Sequence, residues 1–540
     1  MKAVDVYAGV GGWTWGLRLA GIDVVAAYEI WPPAIKTYNA NLGTEHVPKD
    51  VRTLDLKTLP KGVSLVVGSP PCTEFSFANR GGGGDLSEGL KDIVRFLEIV
   101  EHLKPKHWIM ENVPRTAGVI RAGLKTKGHP LHRFRALAPL IEVVDLSGLG
   151  LPQSRRRCFV GNIPFDRLKA LGEVRPLKSL GAVVDALSAG DAVTDPVWGF
   201  TLTHAKLTEV EAEPPLNAEQ LRMNREAKRF HPVYNDMPFP DALDQPSRTV
   251  TATCTRVSRE SIVIDDGKGS VRRLSVRERA TLQSFPITYQ FYGSSHPEKI
   301  KMVGNALPPI LSFMVGCVAN DAHAIPAPDH RAFALPSVLP KITPPPLTGV
   351  SYPMKRRFRA ALPGLRFKSG MRFELGNVYD GDDISWTVRF YFGPSDDIRS
   401  VLLDGKLSGR LQRDPLVAQA MRRCAAHLAP LSKAVGGLTP QDLQDSWRQA
   451  SPGLGPYAIV DMLGRAGLAL TNALSAVPKA SIERAVVRAC RTSGDEDVSE
   501  RKLAKHAIPI LAGLLLGSWF NGLGWRASMQ RVPGARRSRL

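Results

Sequence analysis

Ser64-Leu65-Val66-Val67-Gly68-Ser69-Pro70-Pro71-Cys72-Thr73-Glu74-Phe75-Ser76 is the stretch on which the reading of this chain turns. Its opening apolar run, Ser64 to Val67, has the length of a buried parallel strand. Gly68 and the two prolines end that strand, because proline has no N–H to give to a ladder. Cys72 is thereby held at the carboxyl end of a strand, the edge at which open α/β sheets bind their ligands. Two fixed φ angles just before it make the thiol's position stiff. A cysteine filling a core would want apolar neighbours. Thr73, Glu74, Ser76, Asn79 and Arg80 make a poor core, so a placed thiol is the better reading.

Upstream, Ala3-Val4-Asp5-Val6-Tyr7 reads as a first strand, Ala8-Gly9-Val10-Gly11-Gly12 as the turn after it, and Trp13 to Ala20 as a helix. Strand, glycine-rich turn and helix make a nucleotide-type cradle, since glycines let the backbone approach a ligand closely. A second strand, Asp23 to Tyr28, ends in Glu29, placed to accept bonds from ribose hydroxyls. After a helix over 33–42, Asp50-Val51 is expected at the end of a third strand. Acids recurring at strand ends point to a bound cofactor.

Downstream, Asn79 to Asp85 carries four consecutive glycines and is expected as a lid beside the thiol. An amphipathic helix over 93–103 stops at Lys104-Pro105. The strand Trp108-Ile109-Met110 then delivers Glu111-Asn112-Val113 to the same sheet edge as Cys72. In Leu151-Pro152-Gln153-Ser154-Arg155-Arg156-Arg157, alternation into the strand Cys158-Phe159-Val160 sends Gln153, Arg155 and Arg157 to one face.

At 540 residues, two to four domains are expected, with an ordinary apolar fraction of 43%. The net charge of +20 draws polyanions, nucleic acid first and anionic membrane second. Cysteines at 72, 158, 254, 317, 424 and 490 form no C-x-x-C pair and no cluster with histidine. That spacing argues against a metal site and a disulfide framework, and for a reducing cytoplasm. Asp5 inside the first apolar run speaks against a signal peptide. Ile508 to Trp525 is uncharged but holds Pro509, Asn521 and four glycines, so a buried helix with a turn is expected rather than a membrane span.

Residues 164–247 match no catalytic pattern and are long enough for a small domain. There Arg222, Arg225, Arg229 and Tyr234 interleave with amides, a mix suited to phosphate and base-edge contacts. A helix over 274–282 returns the chain to the first domain, and the helix after Pro308-Pro309 is expected to pack on the first one. Residues 324–348 are proline-rich and read as a semi-rigid linker. Beyond them, Met371–Leu375 and Ser385–Phe392 read as strands and the chain from Pro415 as helical, with no catalytic constellation.

In order, the chain shows D-V-Y-A-G-V-G-G, Glu29, Asp50, G-S-P-P-C, E-N-V, Q-S-R-R-R, R-L-S-V-R-E-R-A-T-L-Q-S-F-P from Arg273, and G-N-A-L-P-P from Gly304. This set resembles the motifs of the bacterial and phage cytosine-5 DNA methyltransferases, from the first residues to about residue 320. The resemblance implies a Rossmann-like α/β fold for S-adenosylmethionine-dependent methyl transfer. Residues 1–163 and 248–323 would form the catalytic and cofactor domain, 164–247 the target-recognition region, and 349–540 an extra α+β domain. It implies S-adenosyl-L-methionine held by Tyr7, Gly9, Gly11, Gly12, Glu29, Asp50, Pro71 and Asn305. Cys72 would be the nucleophile and Glu111 the group at cytosine N3, with Gln153, Arg155 and Arg157 around the base. Ser76 and Arg80 would join Arg222, Arg225, Arg229 and Tyr234 in contacting DNA. The implied partner is duplex DNA with a flipped cytosine, acted on by a monomer away from any membrane, with or without a cognate restriction endonuclease. Two departures stand out: Tyr7 occupies a place where the family usually has Phe, and the four-glycine loop lacks the family's usual sequence.

These residue types suit the chemistry. Cytosine C5 is a poor nucleophile until a thiolate adds at C6 and pushes electron density onto it. A neighbouring cation, here Arg155, would favour the thiolate. A protonated Glu111 and an arginine aimed at O2 would stabilise the charge that builds on the ring. None of this reaches a stacked base, so the cytosine must leave the duplex. An RNA cytosine-5 methyltransferase and a non-catalytic DNA-binding protein of the same fold are the alternatives. The length of the 164–245 interval favours DNA, and intact Cys72, Glu111, Arg155 and Asn305 favour catalysis.

Overall fold

Leu65, Val66 and Val67 are wholly buried, and the strand they form, β3 (Leu65–Gly68), lies inside a six-stranded sheet. The sheet order is β2-β1-β3-β4-β6-β5, with β1 Lys2–Val6, β2 Asp23–Tyr28, β4 His107–Asn112, β5 Leu140–Asp145 and β6 Arg156–Gly161. The first four strands in that order run parallel, and β6 is antiparallel to both β4 and β5. Successive residues of β3 serve different layers, which is why the strand is apolar throughout. Val67 joins a core with Trp13, Leu17 and Phe313, while Val66 joins another with Phe96, Leu97 and Ile120.

The computed structural model describes residues 1–71, 86–173, 175–188, 190–229, 237–267, 269–328, 330–346, 352–367, 371–392, 399–491 and 505–523. The chain divides into a unit of Met1–Phe230 with Asp236–Thr348 and a unit containing Gly349–Leu540.

In the first unit, β1 leads through a turn with left-handed backbone at Tyr7, Gly9 and Gly11 (φ 59°, 56° and 92°) into α1 (Gly12–Leu19). α1 then meets the helix Pro309–Ala319, as the sequence led us to expect. The approach is close: a Cβ on Gly12 would lie 2.1 Å from the Leu307 carbonyl oxygen, and one on Gly16 would lie 2.0 Å from Ser312 Oγ. Ser312 Oγ donates to the Gly12 carbonyl at 2.8 Å, tying the two helices together. α2 (Pro32–Leu42) follows β2, and α3 (Leu86–Leu103) covers the opposite face of the sheet. The returning helix is Val276–Leu282, begun by a capping box between Ser275 and Glu278.

One expectation needs correction. No strand ends at Asp50; its side chain accepts from Arg52 N at 2.9 Å and caps a 3-10 turn, Val51–Thr53. Residues 324–348, read as a semi-rigid linker, are docked in part: Phe333 is buried in the first unit. Its ring stacks on Phe200 at 4.4 Å and packs against Trp15 and Trp198. The stretch His296–Ala319 is long and apolar enough to cross a membrane. It consists of two helices, His296–Asn305 and Pro309–Ala319, that lie almost wholly inside this unit.

The second unit is α+β. Its antiparallel sheet runs Arg359–Arg366, Arg372–Asp380, Asp383–Phe392 and Arg399–Leu402 in spatial order. Ile384, Trp386, Val388, Phe390 and Phe392 alternate onto the buried face. Against that face lies the helix Ala507–Gly522, with Pro509 in its first turn. A Cβ on Gly513 would meet the Phe373 ring at 2.3 Å, and Asn521 exchanges bonds with both backbone groups of Val388 (2.8 and 2.9 Å). The apolar stretch is therefore a buried helix as far as Gly522, with a turn at Leu523, the last of its described residues.

Candidate active site

Gly68 on β3 pairs with Met110 on β4, so Ser69-Pro70 leaves the sheet beside Glu111-Asn112, which stay in it by pairing with β6. Asn112 joins them. Its Nδ2 donates to the Pro70 carbonyl at 3.1 Å, while its Oδ1 accepts from Val113 N (2.9 Å) and Thr116 Oγ1 (2.8 Å). On the other side Trp13 Nε1 donates to Ser69 Oγ at 3.0 Å. The two-proline turn that precedes Cys72 is thus anchored from β4 and from α1. Cys72 itself, with Ser76 and Arg80, lies outside the described residues. Asn112, part of the quoted E-N-V, was not among the expected site residues.

Glu111 is nearly buried and faces Arg157, whose Nε lies 2.9 Å from Glu111 Oε1. Glu111 pairs with Phe159 across the antiparallel β4–β6 ladder. Arg157, two residues before Phe159, therefore projects on Glu111's face.

Gln153 and Arg155 are fully buried and bind backbone. Gln153 donates to Gln283 Oε1 (2.9 Å) and the Leu282 carbonyl (3.2 Å), and its Oε1 accepts from Val250 N (2.8 Å). Arg155 donates to the carbonyls of Val250 (3.1 Å), Gly304 (3.3 Å) and Ala306 (3.3 Å). The sequence suggested Arg155 as a cation beside the thiol of Cys72, which lies outside the described residues. The structure shows a guanidinium bonded to three carbonyls, two of which flank Asn305. Asn305 ends its helix exposed, and a Cβ on Gly304 would lie 2.2 Å from Ala252 N, so that segment is tightly seated.

On the glycine-turn side, Glu29 is fixed by three amides: Gly9 N (2.9 Å), Ile30 N (2.9 Å) and Trp31 N (2.8 Å). Its carboxylate therefore stands beside the turn. Tyr7 Oη donates to Asp92 Oδ1 at 3.1 Å, and Arg52 holds the same carboxylate through Nε and a terminal nitrogen, both at 2.8 Å. Asp92 on α3 and Arg52 beside Asp50 thereby link three segments named as cofactor-binding or adjoining them. Neither was foreseen, although an acid among the apolar positions of an amphipathic helix was a visible signal. Behind the turn, Asp5 accepts from Thr14 Oγ1 (2.8 Å), which accepts in turn from Tyr38 Oη (2.9 Å). Burial pushes the Asp5 carboxyl up to about 7. Pro71 is exposed at this edge.

Arg222, Arg225 and Arg229 lie on the helix Ala218–Arg229. Arg222 pairs with Glu226 at 3.1 Å, Arg225 stands 5.3 Å from the Phe239 ring centroid, and Arg229 is exposed. Tyr234 lies outside the described residues. Lys228 on the same helix is fully buried against Asp241 (3.1 Å), which also takes Arg248 (2.5 Å). Burial lowers the Lys228 amine to about 8.

The family described as C-5 cytosine-specific DNA methylase matches residues 1–317. The chain is 27% identical over 331 residues to Type II methyltransferase M.HgiDI of Herpetosiphon aurantiacus, covering 58% of this chain and 93% of that one. It is 28% identical over 329 residues to Type II methyltransferase M.AplI of Arthrospira platensis, covering 58% and 83%. Among solved structures it is similar to the S. pombe Dnmt2 methyltransferase, with 17% identity, 59% and 98% coverage and a TM-score of 0.42. With its glycine turn, its Glu111 edge and a family match over more than half its length, this chain belongs to the C-5 cytosine-specific DNA methylases, S-adenosylmethionine-dependent enzymes that methylate DNA cytosine.

Proposed function

We propose that this enzyme methylates C5 of a flipped cytosine within a specific duplex sequence, through a covalent bond between Cys72 and C6. The observation that carries this reading is the Asn112–Pro70 bond, which ties the Glu111 strand to the turn that precedes Cys72. A thiolate at Cys72 adds to C6 and moves electron density onto C5. Glu111, oriented by Arg157, meets N3 and supplies a proton as charge builds there, the more effectively because its position is fixed beforehand. Loss of the C5 proton then lets the thiolate leave.

The residues on the glycine-turn side fit the cofactor. The left-handed turn at Gly9 and Gly11 brings backbone close, and the Glu29 and Asp50 carboxylates offer acceptors for hydroxyl groups and counter-charge for a cation. Tyr7, Gly12, Pro71 and Asn305 would complete the set. When bound, S-adenosylmethionine supplies the electrophilic methyl group. Gln153 and Arg155 act as positioning residues that hold the segment carrying Asn305. Arg222, Arg225 and Arg229 are proposed as DNA contacts, and the Type II designation of the relatives makes a restriction–modification setting the expected one.

Labelled methyl transfer in a competition between duplex DNA and tRNA tests the substrate, and bisulfite sequencing of DNA from expressing cells reads the recognition sequence. Methylation confined to cytosines in one duplex sequence is expected. Preferred labelling of tRNA, or no transfer to DNA of any sequence, would refute the proposal.

A further inference from the structure

The sheet of the second unit has a polar face opposite its buried one. Register places Arg389 opposite Glu374, Tyr391 opposite Arg372, and Arg359 opposite Gly376. Arg357, Arg359 and Arg389 line a cleft of about 260 Å³ on this face, and Glu374 is its one acidic lining residue. That acid is already held by Arg359 (2.6 Å) and Arg372 (2.5 Å). Tyr391 lies between the same two arginines, whose guanidinium carbons are 5.0 and 5.1 Å from its ring centroid. Arg357 and Arg359 are exposed, while the Nε of Arg389 is buried without a hydrogen-bond partner. The floor between them is short-chained, with Gly376 paired to Thr387. The acidic hairpin tip, Asp380 to Asp383, bounds the basic area at one end.

A donor-rich cleft with a shallow floor and an orphaned guanidinium N–H suits an anionic group that brings acceptor oxygens and little bulk. Phosphate has that chemistry. The chain carries a net charge of +20 and belongs to a family that acts on DNA, so phosphodiesters are the phosphate groups its substrate presents. We propose that the cleft lined by Arg357, Arg359 and Arg389 binds the DNA backbone as a second contact, independent of sequence.

The test uses the full chain and a fluorescent duplex of A·T pairs only, with binding measured by anisotropy across a salt series. Arg357→Gln with Arg389→Gln spares the Arg359–Glu374–Arg372 cluster. This double variant should flatten the slope of log affinity against log salt by about one to two, as expected for one or two lost phosphate contacts. The sequence it methylates should stay unchanged. The matching double lysine variant should keep the slope, because it keeps both charges. A glutamine variant with the wild-type slope, or a lysine variant as weak as the glutamine one, would overturn the proposal.

Discussion

Arg157 Nε lies 2.9 Å from Glu111 Oε1, and both side chains are largely withdrawn from solvent. A carboxyl group on a strand end can swing, and this pairing fixes its direction before any base arrives. Replacing Glu111 with Gln keeps the shape and removes the proton that N3 would receive. We expect turnover to fall by roughly 10²–10⁴-fold, the range for a positioned general acid, with little change in DNA affinity. Single-turnover methylation alongside equilibrium DNA binding separates the two. A loss confined to binding would place Glu111 outside the chemistry.

Tyr7→Phe deletes the hydroxyl that reaches Asp92 at 3.1 Å and leaves that carboxylate bound by Arg52. The loss of one hydrogen bond should cost about 1 kcal/mol in urea unfolding while cofactor affinity, measured by calorimetry, is kept. If affinity collapses and stability does not, the hydroxyl acts on the cofactor directly.

Asp5 gives a pH signature. Burial raises its carboxyl from 3.8 to about 7, so the folded state holds the proton more tightly than the unfolded one. Its contribution is complete below the unfolded value and is lost as pH rises through about 7. Asp5→Asn cannot titrate. The difference in melting temperature, variant minus wild type, should therefore rise between pH 5 and pH 8. A flat difference would mean that Asp5 is not protonated in the folded chain.

A fragment ending at residue 346 should fold and methylate, and one ending at 326 should be markedly less stable. The shorter one lacks Phe333, buried against Trp15, Trp198 and Phe200. Removing a buried phenylalanine costs about 3–5 kcal/mol. Thermal melts of the two fragments decide, and equal stability would contradict the packing described.

The parts of the fold that were legible in the sequence are those punctuated locally. The apolar run before Gly68, the glycines after Tyr7 and the prolines before Cys72 each restrict the backbone by their own chemistry. Asp50 misled because an aspartate capping a 3-10 turn and one ending a strand look alike without their partners. The prolines of 324–348 suggested a linker but not its docking, because composition does not report where a single aromatic ring docks. The carbonyls that accept from Arg155 could not be read from the sequence, since they lie 95, 149 and 151 residues away.

The covalent Cys72 adduct is tested most directly by trapping. Duplex DNA with 5-fluorocytosine at the methylated position cannot release fluorine as a proton, so the bond from C6 to sulfur persists after methyl transfer. With S-adenosylmethionine present, wild-type enzyme should form a denaturation-resistant complex whose mass equals protein plus methylated DNA, and Cys72→Ala should form none. Wild-type enzyme that methylates ordinary DNA under the same conditions yet leaves no such complex, or a Cys72→Ala variant that traps equally well, would contradict it.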